Sequence, residues 1–140
     1  TFRKKGCVIC HNGINIGGNS FKTFGIYKIH KLSDKVGWFA MLDATFENEN
    51  LRRDDTGVFA ITGAASDKYL FRVASLRNVE LNRPYFTQGQ VWELEDAIRT
   101  MGRVQLGVEL TDDEVSSIRA FLGSISGRIP VIKPPLAEEY

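Results

Sequence analysis

Long apolar runs are missing from this sequence: 43% of its 140 residues are hydrophobic, but they are scattered, and no stretch is long enough to cross a membrane as a helix. The expectation is one soluble domain, large enough to bury an ordinary core. Charge of one sign is lacking too. Net charge is +1, from 18 Lys/Arg against 17 Asp/Glu, which argues against a nucleic-acid binder. The adjacent glycines Gly17 and Gly18 are not followed by GKS or GKT, so a phosphate loop is discounted. No signal peptide is visible, because basic Thr1 to Lys5 runs into the first cysteine without an apolar stretch. So short a lead suggests that residue 1 is not a natural start, with a preceding segment and any export signal beyond it. Only two cysteines occur, Cys7 and Cys10, which leaves no disulfide framework and no second Cys pair.

What is present is Gly6-Cys7-Val8-Ile9-Cys10-His11-Asn12-Gly13, and Cys-x-x-Cys-His is the attachment motif of a c-type haem. Two thiols about one helical turn apart can form thioethers with the two haem vinyl groups, and the next residue, His11, then supplies an axial imidazole. Two other readings of these residues stand beside it. A redox dithiol wants a thioredoxin-like strand-turn-helix context, which the Gly- and Asn-rich residues 12–19 do not supply. A zinc site of Cys7, Cys10, His11 and His30 would crowd adjacent Cys10 and His11 into one tetrahedron.

Residues 12–29 read as a loop, with Phe21 and Phe24 as candidates for a haem wall and Gly17 and Gly18 allowing close backbone approach. Residues 31–56 read as an excursion with a charged tip, docked by Trp38. Residues 67–79 show no clean period, and Arg72 and Arg77 there are candidates for pairing haem propionates, with ordinary surface arginines the alternative. Pro84 fixes a turn beside Tyr85 and Phe86. A helix is predicted over 93–101, with Leu94, Ala97, Ile98 and Met101 on one face and Gly102 as its stop. Thr111-Asp112-Asp113-Glu114 is a capping box opening a last helix with the stripe Val115, Ile118, Phe121, Leu122 and Ile125, ended by Gly127. The Pro-rich residues 128–140 read as an extended strap.

A second axial ligand would come from His30, Met41, Met101 or a Tyr. A Met on an apolar helix face is commonly core filler. Met101 is nevertheless best placed, since a haem motif, a short helix ending in Met and a capped terminal helix follow one another as in a small c-type cytochrome. Thioether ligation favours ferrous iron and a high potential. Residues 1–35 carry seven Lys/Arg and one acid, +6, whereas residues 36–140 carry eleven and sixteen, −5. That basic part is either a collar steering an acidic redox partner or an ordinary solvated face.

Taken together, the Cys7 to Gly13 motif, Gly17-Gly18-Asn19-Ser20-Phe21, Ser75-Leu76-Arg77-Asn78-Val79, Pro84-Tyr85-Phe86, Met101-Gly102-Arg103-x-Gln105-Leu106-Gly107 and the capped final helix resemble the C-terminal domain of bacterial di-haem cytochrome c peroxidases, a family related to MauG-type proteins. Residues 31–56 match it poorly. The resemblance implies an all-α, cytochrome c-like domain wrapped around one covalent haem with long loops, spanning 1–140. It implies a high-potential, electron-transferring haem with His11 and Met101 as axial pair; MauG-type relatives have Tyr in place of that Met. It further implies an N-terminal peroxidatic haem domain outside this chain, where hydrogen peroxide is reduced to water. A small cytochrome c or cupredoxin would donate the electrons, in the periplasm, to an enzyme that can form homodimers. Calcium would bind between the domains, partly through backbone oxygens at Asn82 to Pro84. The other functional readings are a free-standing electron-transfer cytochrome c and a zinc-stabilised interaction module.

Overall fold

A computed structural model describes residues 1–24, 55–87, 89 and 91–128. The 31–56 excursion up to its last two residues, and the 128–140 strap after its first, lie outside the described residues, as do Trp38, His30 and Met41. Among the described residues, three α-helices are formed, α1 (Phe59–Thr62), α2 (Leu94–Met101) and α3 (Asp112–Ser124), with two short strands, β1 (Phe21–Thr23) and β2 (Leu70–Arg72).

Helices α2 and α3 pack on one another and carry most of the core. Extended Glu93 opens α2, Glu95 and Asp96 lie in its first turn where the helix dipole favours anions, and Leu94, Ala97 and Ile98 are buried. The capping box is formed as expected: Thr111 Oγ1 accepts from the Glu114 N–H at 3.3 Å and the Thr111 N–H donates to Glu114 Oε2 at 3.2 Å. Val115, Ile118 and Leu122 are buried along α3, with Phe121 and Ile125 half-buried against them. Phe2, Tyr85, Val91 and Leu110 complete this core from outside the helices.

The expected helix stops are corrected. Gly102 keeps right-handed φ/ψ of −56 and −49 and the chain runs on into a π-turn, Gly102–Leu106, which Gly107 ends at φ 65. The Gly107 N–H reaches Arg103 O at 3.2 Å and the Val108 N–H reaches Gly102 O at 3.1 Å, so the last carbonyls are satisfied as the chain reverses. Gly102 is needed for closeness instead: a Cβ there would lie 2.9 Å from Leu110 Cγ. Helix α3 ends at Ser124, three residues before Gly127, whose N–H donates to Asn78 Oδ1 at 2.6 Å.

Beside the helices of the all-α expectation, the described residues form a small sheet. Strands β1 and β2 pair antiparallel with Phe21 opposite Arg72 and Thr23 opposite Leu70. Flanking bonds lengthen the pairing: Phe24 N–H to Tyr69 O at 3.0 Å, Val73 N–H to Ser20 O at 2.9 Å, Gly18 N–H to Val73 O at 2.8 Å and Leu76 N–H to Ile16 O at 3.2 Å. The loop after the Cys motif is thereby laced along residues 69–76. Three-residue strands leave no periodicity in a sequence, which is why neither segment announced its partner.

Candidate haem site

Gly6 turns the chain at φ 88 into a single 3-10 turn, Cys7–Ile9. The Cys10 and His11 N–H groups donate to Cys7 O at 3.3 and 2.9 Å, and Asn12 Nδ2 donates to Ile9 O at 3.1 Å, so the turn is closed by its own motif residues. Both thiols are free and half-buried. Burial pushes the Cys7 thiol above its ordinary value, the reverse of the lowering that marks a reactive dithiol. Among the described residues no three of His, Cys, Asp and Glu gather as a metal-binding group, so Cys7, Cys10 and His11 do not close on one ion.

His11 Nδ1 lies 3.2 Å from the Ala74 carbonyl oxygen. A carbonyl can only accept, so Nδ1 is the donor of this bond, which in the neutral imidazole leaves the lone pair on Nε2. Burial lowers the pKa of His11, against an opposing pull from hydrogen bonding to the backbone of Ala74 and Ile16. Burial thus disfavours the charged imidazole. Orientation of a ligating His through its second nitrogen is how proteins fix a metal-binding ring.

The two arginines expected near propionates are staples between the same segments. Arg77 Nε donates to Ile14 O at 2.7 Å, and Arg72 Nε and Nη2 donate to Gly18 O at 3.2 and 3.1 Å. The terminal nitrogens of Arg77 have no partner among the described residues. Met101 is the last residue of α2 and is half-buried, yet it stands outside the cluster in which Leu94, Ala97 and Ile98 of the same helix are packed. Just beyond it, Gln105 Nε2 donates to Thr23 O at 3.2 Å and ties the π-turn to the end of β1.

No protein-family profile matches the chain. Over 135 residues, 96% of this chain, it is 46% identical to a protein named cytochrome c551 peroxidase from Pseudomonas aeruginosa. The chain is homologous to the C-terminal part of proteins named cytochrome c peroxidase. A second cytochrome c551 peroxidase, from Nitrosomonas europaea, is 38% identical over 96% of the chain. The chain spans about a third of the length of these relatives, 34% and 35% for those two. A solved MauG-like protein associated with microbial copper homeostasis superposes with a TM-score of 0.60 over 88% of this chain and 40% of its own, at 22% identity, and shares the fold.

Two free thiols on one turn and an imidazole oriented through Nδ1 by Ala74 fit a covalently bound c-type haem. Other expected contributors are placed less directly. Phe24 lies edge-on to Phe86 at 5.8 Å and Phe71 at 6.4 Å, whereas Phe21, expected beside it on a haem wall, is 53% exposed on β1. Asn82 and Pro84 are exposed after the turn Val79–Leu81, with the Asn82 N–H donating to Val79 O at 3.1 Å. Tyr85 is buried in the core and its N–H donates to Val91 O at 2.7 Å. Sequence reasoning missed Ala74, whose contribution is a backbone oxygen that no side chain advertises. It also missed Phe2, buried with its ring centroid 6.5 Å from that of His11. An aromatic five places before the first motif cysteine was the available signal.

Proposed function

We propose that this chain is the high-potential, electron-transferring haem domain of a di-haem cytochrome c peroxidase. The observation that carries the reading is the His11 imidazole oriented by Ala74 immediately after two free motif thiols. When bound, haem supplies one-electron chemistry. Cys7 and Cys10 hold it as thioethers, and His11 offers Nε2 to the iron. Met101 would be the second protein ligand to the iron, and its thioether would raise the potential. The open nitrogens of Arg77 serve a propionate.

In the whole protein, an N-terminal domain carries the peroxidatic haem that reduces hydrogen peroxide to water, and this domain passes it electrons received from a small cytochrome c or cupredoxin. The full-length enzyme is a periplasmic homodimer, with calcium between domains bound through backbone oxygens at Asn82 to Pro84. Support comes from the coverage of the relatives, which extend well beyond this chain's match. Optical spectra of the purified chain, oxidised and reduced, with acid-solvent extraction, test the reading. Colour that survives extraction, a low-spin spectrum with a sulfur-to-iron band and negligible peroxide turnover are expected. Colourless protein would overturn it, and brisk peroxide turnover by the chain alone would remove the division of labour.

A further inference from the structure

We propose that Gly17 is a positioning residue for the axial imidazole: having no side chain, it lets the Ala74 carbonyl reach His11 Nδ1. Gly17 is buried at φ +134, and a Cβ built on it would lie 2.0 Å from the Ala74 oxygen, 2.8 Å from its carbon and 3.2 Å from Ser75 Cα. These are backbone atoms, so no change of rotamer relieves the collision. The facing segments are locked on either side of it. Val73 O accepts from the Gly18 N–H at 2.8 Å, Ile16 O from the Leu76 N–H at 3.2 Å and Asn15 O from Ser75 Oγ at 2.7 Å. Between these, the Ala74 oxygen is aimed at His11.

From the other side, the Gly17 N–H donates to Asn12 O at 2.8 Å, which closes the loop that starts directly after His11. One short loop thus carries the imidazole at its start and the backbone that sets the imidazole's acceptor near its end. A side chain at 17 has two ways out: displacing the Ala74 carbonyl from the ring, or prising the loop from its partner segment. Both weaken the Nδ1 hydrogen bond, leaving a less basic imidazole that favours ferrous iron. Gly18 is the internal comparison. It also has positive φ, +83, but a Cβ there meets only Arg72 Nη2 at 3.5 Å.

The inference rests on the haem reading of His11, and the test separates the two. The protein is prepared with haem attached, as wild type and as Gly17→Ala, Ser75→Ala and Gly18→Ala. Reduction potentials are measured, together with exchange of the His11 Nδ1 proton by NMR. Gly17→Ala is expected to shift the reduction equilibrium about tenfold toward the ferrous form, about 59 mV for one electron, with faster Nδ1 exchange. Ser75→Ala removes the staple to Asn15 and the longer Arg77 N–H contact at 3.4 Å, and is expected to shift it about threefold the same way. Gly18→Ala carries the backbone strain without the collision and should leave the potential in place. A purely structural glycine predicts equal shifts for Gly17→Ala and Gly18→Ala, and that result overturns the proposal. Where Gly17→Ala does not fold, Ser75→Ala decides, and an unmoved potential there overturns it. Failure of the wild type to take up covalent haem would instead sink the functional reading.

Discussion

Phe2 packs its ring against Phe121 with centroids 4.7 Å apart and planes at 38°. The residue five places before Cys7 is thereby clamped to α3, and the motif turn is fixed to the core from its N-terminal side. Removing the ring should cost about 3–5 kcal/mol, the usual range for truncating a buried Phe. Denaturant unfolding of Phe2→Ala with haem attached would show the midpoint falling at unchanged slope; a loss below about 1 kcal/mol would mean that the clamp is slack.

Gly102→Ala separates helix propensity from packing. Propensity alone would favour Ala by about 1 kcal/mol at a right-handed position. The new Cβ would sit 2.9 Å from Leu110 Cγ and 3.2 Å from Val108 O, in a corner where Leu110 is buried. Net destabilisation of about 1–3 kcal/mol is expected from overpacking. A stabilised variant in thermal unfolding would show that the close approach is relaxed at little cost.

Met101→Ala tests the second axial ligand. With haem attached, the variant should lose the sulfur-to-iron band and bind carbon monoxide in the reduced state, since opening the sixth position admits small ligands. An unchanged spectrum would make Met101 a half-buried packing residue and move the search to His30 and Met41.

Glu114 predicts a pH dependence. Its carboxyl is held below the ordinary carboxylate value, first by a hydrogen bond from Lys5 and then by the Thr111 N–H. A lowered folded-state pKa means that its stabilising contribution is complete above the unfolded value of 4.5 and fades as pH falls through the lower folded value. Glu114→Gln should flatten this acid limb of stability while keeping a capping partner for Thr111. Parallel acid limbs in variant and wild type would assign the loss to other carboxylates.

Much of the haem site was legible because its chemistry is local. Cys7, Cys10 and His11 fall within five residues, in the order of a c-type haem motif, although the same residues also admit dithiol and zinc readings. Helix α3 was legible for the same reason, with Thr111 and Glu114 three residues apart and Val115, Ile118 and Leu122 on one face. Helix stops were harder. Glycine reads as a terminus, but Gly102 stays helical and admits Leu110, and Gly127 lies past the helix end with its N–H on Asn78.

The sequence by itself determined the motif, the amphipathic faces of α2 and α3 and the capping box, all of which depend on residues within about a turn of one another. Only the tertiary structure decided which carbonyl holds the His11 ring, that Arg72 and Arg77 staple a loop, and that residues 18–24 lace along 69–73. Backbone oxygens have the same identity in every residue, so only the fold that brings chain positions 11 and 74 together can single one out.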